Sequence, residues 1–532
     1  MNSMEQVNLN LSPSDGIMSR HNQPSQNPHE SMKETSKVAD SWGQQYNMKS
    51  SHPYSLPKLI AFFFAFFSLS YFLYSLQFLY SPHSSSCDTS HIDDFNHHHH
   101  QAEALSPPPT ETALHHIVFG IASSTKLWHY RKDYLKIWWQ PDRMRGVVWL
   151  DKPLPRPEAM EGEDDSTLLP PVKISSDTSG FKYKNPKGDH SAVRISRIVS
   201  ETFQQLDGEE ARWLVMGDDD TVFVAENLVR VLSKYDHNQY YYIGSWSESH
   251  LQNIYFSYNM AYGGGGFAIS YALARALERM QDRCLRRYPG LYGSDDRVQA
   301  CMAELGVPLT REPGFHQFDV YGNVFGLLAA HPITPLISLH HLDVVEPIFP
   351  KLTQFQALQR LRTPLKLDSA ALMQQSICYD RTRSWTVSVS WGYAVQIHRG
   401  IYPPRDMETP SRTFLHWYKR ADPAGFAFNT RPLSKNPCEK PFIYFLSDAA
   451  RDARTNATVS EYVQHGVPSL DCKWKIADPS RIRRVEVHKK PDPHLWDKAP
   501  RRNCCRVLPT KKKFTMEVNV GECREDEIVE LR

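Results

Sequence analysis

Ala211-Arg212-Trp213-Leu214-Val215-Met216-Gly217-Asp218-Asp219-Asp220-Thr221-Val222-Phe223-Val224 sets an apolar run directly against three consecutive carboxylates. The run has the length and character of a short buried strand, and the acids fall at its carboxyl end. An unpaired buried charge costs several kcal/mol or more, so such groups are paired or bound to a metal. An Asp-x-Asp at a strand end presents two hard oxygen ligands to Mg²⁺ or Mn²⁺, an ion that commonly bridges to substrate phosphates. The pattern suits a nucleotide-sugar diphosphate donor. The competing reading is a solvated acidic turn, and a bare DxD does not separate the two.

Upstream, His116-Ile117-Val118-Phe119-Gly120-Ile121-Ala122 and Gly146-Val147-Val148-Trp149-Leu150 read as strands. Residues 130–139 carry apolar side chains at Tyr130, Tyr134, Ile137 and Trp138, the spacing of one helix face. Residues 192–206 repeat that spacing, while residues 153–171 are Pro-rich and acidic, a surface loop. Strands alternating with helices indicate an α/β sheet with helices on both faces, and ligands of such sheets bind at the carboxyl ends of strands. Past Pro364 the pattern changes. Trp385, Val387, Val389 and Trp391 alternate with polar residues, as do Phe514, Met516, Val518 and Val520, which predicts half-buried strands.

The organisation follows. Residues 1–58 form a polar, disordered tail. Residues 59–80 contain no charged residue, and at about 1.5 Å per residue they span a bilayer core of about 30 Å as one helix. Arg20, Lys33, Lys37, Lys49 and Lys58 precede them and no Lys or Arg follows until Lys126. The positive-inside rule therefore predicts a single-pass type II protein with its bulk in the lumen, in keeping with a Golgi membrane. Residues 81–113 read as a stem, 114–350 as an α/β domain, 351–373 as a helical linker and 374–532 as a β-rich domain. Net charge is +2, which gives no electrostatic case for nucleic acid.

Of nine cysteines, Cys87 lies near the membrane and eight follow, consistent with disulfides in a lumenal compartment. Cys284 and Cys301 can staple one loop; the other pairings stay open. Asn456-Ala457-Thr458 is a glycosylation acceptor in that compartment, whereas Asn10-Leu11-Ser12 falls on the predicted cytosolic side.

Four segments now stand in order. Ile121-Ala122-Ser123-Ser124-Thr125 runs through Arg131 to Trp138-Trp139. Asp218-Asp219-Asp220 comes second. Tyr262-Gly263-Gly264-Gly265-Gly266-Phe267-Ala268-Ile269-Ser270 reads as a glycine loop opening a helix. Tyr292-Gly293-Ser294-Asp295-Asp296-Arg297-Val298 is followed by Ser338-Leu339-His340-His341-Leu342. In this order, over about residues 114–350, they resemble the Fringe-like β1,3-glycosyltransferases, inverting enzymes of glycosyltransferase family 31. They are similar in particular to a plant Fringe-related group once catalogued as a domain of unknown function.

The resemblance implies a GT-A-like fold and a type II membrane glycosyltransferase that moves a hexose from a UDP-sugar to a glycan or glycoprotein acceptor. It implies Mn²⁺ (or Mg²⁺) held by Asp220 and Asp218, with His341, or His340, as the later metal-binding histidine. It implies a catalytic base in the acidic pair, Asp296 first and Asp295 second, while an N-cap role for one of them stays open. Ser123, Ser124, Thr125 and Arg131 match the nucleotide-contacting loop, and Asp219, Gly264 and Gly265 fall near the donor. Arg194 and Arg197 point either to the diphosphate or to solvent. The β-rich tail has no counterpart in the family pattern; its Trp391, Trp417 and Trp474 form either an acceptor platform or core. Against the transferase stands a non-catalytic lumenal sugar-binding or scaffolding protein. A metal-dependent hydrolase of nucleotide sugars is a third reading.

Overall fold

In a computed structural model of the 532-residue chain, the described residues are 63, 65–72, 111–154, 168–206, 210–466, 472–473 and 475–528. Residues 65–72 are helical and exposed. The rest of the expected span 59–80 lies outside the described residues, as do Cys87, Asn10 and Trp474. No helix among the described residues is long and apolar enough to cross a membrane. Residues 111–528 fall within one compact unit.

The first sheet contains β1 (Ile117–Ala122), β2 (Arg145–Leu150), β3 (Val172–Ile174), β4 (Trp213–Asp218), then β6 (Tyr242–Gly244), β7 (Phe267–Ser270) and β8 (Leu309–Arg311). β5 (Val222–Phe223) lies outside it. The order is β3-β2-β1-β4-β7-β6-β8. β1, β2, β3 and β4 run parallel, and β7 returns antiparallel to β4. β1 is apolar throughout and wholly buried, as a strand covered on both faces requires. The order reverses between β1 and β4, so their carboxyl ends form a topological switch point, the usual ligand crevice of such sheets. Ala122 and Asp218 are register partners there.

Helices α1 (Thr125–Trp138), α2 (Ser191–Phe203), α3 (Ala225–Leu232), α4 (His250–Tyr255), α5 (Tyr271–Glu278), α6 (Gln281–Arg287) and α7 (Ser294–Glu304) accompany this sheet. In α1 the buried face is Tyr134, Ile137 and Trp138, with Arg131 in place of the expected Tyr130, which is 71 % exposed. The inner face of α1 meets carboxylates at its start, so a guanidinium is buried there and the neighbouring ring turns out. The glycine run does not open a helix directly: it leads into β7, and α5 begins only at Tyr271. β7 is paired with β4 because residues 267–270 are uniformly buried and unbroken by glycine.

Two short ladders matter for the site. β5 pairs with β10 (Ser338–Leu339), and β9 (Val320–Gly322) pairs with β14 (Phe414–His416). The remaining strands are β11 (Gln375–Asp380), β12 (Trp385–Ser390), β13 (Ala394–Arg399), β15 (Phe442–Arg451), β16 (Thr458–His465), β17 (Arg484–Lys489), β18 (Cys504–Leu508) and β19 (Thr515–Gly521). They form a second sheet in the order β11-β12-β13-β15-β16-β17-β19-β18. Its outer strands are joined by the Cys378–Cys505 disulfide, so the sheet curls toward a barrel. Cys284–Cys301, Cys438–Cys472 and Cys504–Cys523 are also bonded.

β19 keeps the alternating burial predicted for it, starting at Thr515 with Phe514 exposed. β12 does not; it is buried on both faces. Its serines are satisfied internally, Ser390 Oγ donating to Leu328 O at 2.8 Å and Ser388 Oγ accepting from Gln375 Nε2 at 3.0 Å. The face expected to meet water is covered by the rest of the fold. Helix α9 (Gln354–Asp368), preceded by the short α8 (Phe325–Leu328), falls within the expected linker and starts at a Thr353–Gln356 capping box. One apolar core continues from Phe119, Trp138 and Trp213 beside the first sheet to Trp391, Tyr393 and Val518 in the second. Trp391 belongs to that core. The Lys489–Asp368 ion pair, 2.6 Å long with both side chains 2 % exposed, ties the end of α9 to β17.

Candidate active site

The site is built where chain connections converge on the switch point. Asp218 ends β4, and the turn after it closes through Thr221: Thr221 N donates to Asp218 O at 3.0 Å and Asp218 N donates to Thr221 Oγ1 at 2.8 Å. Asp219 N donates to Ala122 O at 3.0 Å, fixing the turn against the end of β1. The β5–β10 ladder pairs Val222 with Leu339. The next residue along each strand's outer end is Thr221 on one side and His340 on the other, which brings the imidazole onto the acids. His340 Nε2 lies 3.3 Å from Asp220 Oδ1 and 3.6 Å from Asp218 Oδ2.

Asp218, Asp220 and His340 each turn a ligand atom inward, and these atoms lie within 4.8 Å of one another. His340 Nδ1 donates to Gln317 O at 3.1 Å, which leaves the Nε2 lone pair facing the acids. Burial, then His341, pushes its pKa down, favouring the neutral form that binds metals. Asp220 is fully buried and neither of its oxygens accepts a hydrogen bond. Such a buried carboxylate, ion-paired but accepting no hydrogen bond, with a second carboxylate and an imidazole beside it, fits a Mn²⁺-type donor set.

Arg131 closes the other side. Its guanidinium lies 3.1 Å from Asp220 Oδ2, 3.0 Å from Asp219 Oδ1 and 3.1 Å from Asp343 Oδ2. Asp343 also accepts from the Tyr134 hydroxyl. Burial opposes ionisation of Asp220, but Arg131 and His340 outweigh it and hold its pKa below the carboxylate range. Asp218 is raised well above that range by burial and by Asp220, Asp295 and Asp219. Asp219 is pushed up to about 6, chiefly by burial. Without a cation, one of these acids holds a proton; an added ion relieves that repulsion.

Ser123 donates to Asp219 Oδ2 at 2.6 Å. Ser124 caps α1, accepting from Leu127 N at 3.3 Å. Thr125 N donates to Asp151 Oδ1 at 2.8 Å. Arg194 is buried against the carbonyls of Ser123 (2.9 Å) and Trp149 (3.3 Å), and Arg197 pairs with Asp282 at 2.8 Å.

The two adjacent acids of α7 face different tasks. Asp296 caps its own helix, accepting from Tyr292 N at 2.8 Å and Gly293 N at 2.9 Å. Asp295 is buried and turned the other way. It shares with Asp218 and Gly263 the lining of a cavity of about 30 Å³, and burial pushes it up to about 7. His341 turns from the triad toward Asp319 Oδ1, 3.2 Å away, with φ +50°.

The glycines let these parts meet. A Cβ on Gly263 would lie 2.6 Å from Asp295 Oδ1, and one on Gly264 would lie 2.0 Å from His340 Cε1. Gly264 O accepts from Thr221 Oγ1 at 2.7 Å and Gly265 N donates to Gln317 Oε1 at 2.6 Å. Gln317, Asp319 and Asp343 carry no sequence signal of their own; only their nearness to the histidine segment in the fold reveals them.

A model described as "Fringe-like" matches residues 175–322. The chain carries a Fringe-like domain. A second model, "Protein of unknown function, DUF604", matches residues 252–505 and so overlaps the Fringe-like region and continues into the β-rich part. Two relatives named beta-1,3-glucosyltransferase are distantly homologous. The Homo sapiens protein is 32 % identical over 132 residues, 25 % of this chain and 26 % of that protein; the Mus musculus protein is 33 % identical over the same length and shares. The chain thus spans about a quarter of their length. Solved structures with similarity include an active-site mutant of LgtC, at TM-score 0.30 and 14 % identity, covering 47 % of this chain and 94 % of that one. They also include the mannosyltransferase PcManGT from Pyrobaculum calidifontis with GDP-Man and Mn²⁺, at TM-score 0.24 and 13 % identity, covering 57 % and 71 %.

Proposed function

We propose that this chain is an inverting glycosyltransferase of GT-A kind that moves a hexose from a UDP-sugar to a glycan or glycoprotein hydroxyl, forming a β1,3 linkage. The observation that carries the reading is the convergence of Asp218, Asp220 and His340 at the switch point, with Asp295 beside them. Asp218, Asp220 and His340 hold the divalent ion, for which Mn²⁺ fits best; His341 serves to position Asp319. When bound, the ion supplies Lewis acidity that stabilises the departing diphosphate.

Asp295 is the base. At about pH 7 it is poised to take the acceptor's proton as the acceptor oxygen bonds to the sugar's C1 and the bond from C1 to UDP breaks. Asp296 positions α7. Arg131 and the β1–α1 loop bound the nucleotide side. The four disulfides favour an oxidising compartment, in line with a lumenal Golgi enzyme anchored by residues 59–80.

The test is calorimetry of UDP against full-length protein with Mn²⁺ or with chelator, followed by turnover over a UDP-sugar panel. Binding that needs Mn²⁺, and that Asp220→Ala abolishes, supports the reading. UDP binding indifferent to metal, or transfer surviving Asp295→Asn at the wild-type rate, refutes it.

A further inference from the structure

The β-rich part reaches into the site through one ladder. β9 and β14 pair Val320 with His416, so the next residues at that end, Asp319 and Trp417, come side by side. Trp417 stacks on His341 with ring centroids 5.2 Å apart and planes 12° apart, and on Tyr321 at 5.0 Å and 20°. Tyr418 follows and is 52 % exposed. Across the site, Tyr255 at the end of α4 is 62 % exposed. Its neighbour Phe256 packs on Tyr292 at 5.7 Å, just before the turn that starts α7 and bears Asp295. Tyr255 and Asp319 are both among the groups that raise the pKa of Tyr418, so rings line both sides of the space between Asp295 and His341.

One polar group among them lacks a partner. Tyr262 is 5 % exposed, and its hydroxyl makes no hydrogen bond. Burial raises its pKa most, and the charges of Asp319 and Asp295, then Tyr258 and Tyr418, add to that. A buried hydroxyl left unpaired is costly, and one beside an open face is a group that a ligand's hydroxyl can complete. Exposed rings beside unpaired polar groups suit a pyranose, whose C–H face stacks on aromatic rings while its hydroxyls need donors and acceptors.

We infer that this ring-lined face is the acceptor subsite, that Tyr262 hydrogen-bonds the acceptor there, and that the acceptor presents a pyranose ring to Tyr418 and Tyr255, with Trp417 stacked behind them as support. The inference rests on the transferase reading and gives the β-rich part a role: it supplies one wall of the acceptor site.

The test uses full-length protein with UDP and Mn²⁺. The probes are methyl β-glucoside, methyl β-galactoside and methyl β-N-acetylglucosaminide, read by saturation-transfer NMR, with UDP affinity read by calorimetry. The wild type is expected to give a signal with at least one glycoside. Joint Tyr255→Ala and Tyr418→Ala changes, both at exposed positions, cut it at least tenfold and leave UDP affinity within twofold. Tyr262→Phe weakens glycoside binding with the same UDP affinity. A wild type that binds UDP but none of the glycosides overturns the inference, as does a double variant that keeps the full signal. Loss of UDP binding in the wild type strikes the transferase reading instead; glycoside signals that vanish in the double variant would still support a saccharide site on this face.

Discussion

Replacing Gly264 by alanine tests the architecture of the proposed metal triad without touching any of its three side chains. The new methyl would lie 2.0 Å from His340 Cε1 and 2.4 Å from its Nε2, where ordinary contact begins at 3.4 Å. The ring must retreat by about 1.4 Å, the difference between 3.4 and 2.0 Å. It is 3 % exposed and held by its 3.1 Å bond to Gln317 O, so it cannot move without losing that bond. Overpacking of this kind costs about 1–3 kcal/mol of stability. A metal ligand that loses its orienting hydrogen bond typically gives up about 10–100-fold in metal affinity. The expected result by calorimetry is a Mn²⁺ Kd raised about 10–100-fold. Gly265→Ala, whose Cβ meets Gln317 N at 3.1 Å, should weaken binding less, and Gly290→Ala, with nothing within 4 Å, not at all. A folded Gly264→Ala protein with Mn²⁺ affinity within twofold of wild type would show that His340 does not hold the ion.

Asp295→Asn should abolish transfer and with it an acidic limb of kcat/KM centred near pH 7, since the ionised carboxylate accumulates only as pH rises through about 7. Asp296→Ala removes the α7 cap, costing about 0.5–2 kcal/mol in a urea titration, and should leave that limb in place. Asp368→Ala strands a buried Lys489 ammonium and should cost about 3–5 kcal/mol, whereas joint Asp368→Leu and Lys489→Met should cost far less. His331 and His398 are buried and held down to about 3 from 6.5. The unfolded chain therefore binds more protons between those values, and stability present above pH 6.5 is lost as pH falls. At pH 5 the loss is about 2 kcal/mol for each histidine, and His398→Phe should lessen the loss of unfolding free energy between pH 7 and pH 5 by about that amount in urea titrations.

What the sequence disclosed divides along physical lines. The α/β character was legible because β1 and β4 are continuous apolar runs, and the acids drew notice because three in a row end such a run, while the triplet alone left a solvated turn open. The seat of the proposed metal pocket was not. His340 and His341 are chemically alike in a one-dimensional reading; what separates them is the pairing of β5 with β10 and the φ of +50° at His341. The same holds for Asp295 and Asp296. Both sit in the first turn of α7, and only the direction of each side chain assigns one to the backbone and the other to the cavity. Tyr130 and Arg131 exchanged their expected places because helical periodicity records apolarity and is blind to a buried ion pair.

The four glycines show how these limits arise. Read along the chain, they look like freedom for a substrate to approach. In the fold, Gly263 and Gly264 make room for Asp295 and His340, and the carbonyl of Gly264 and the N–H of Gly265 bond to Thr221 and Gln317. Gly266 supplies the positive φ, +85°, that turns the chain into β7 beside Phe223. The loop thus touches the acidic turn, the helix bearing Asp295 and the segment bearing His340 at once. A side chain at Gly263 or Gly264 would push apart groups that distant segments bring together, so the constraint on each glycine lies in another segment. Glycines at such a junction are therefore part of the site's construction, and their substitution should alter metal binding before it alters the sheet.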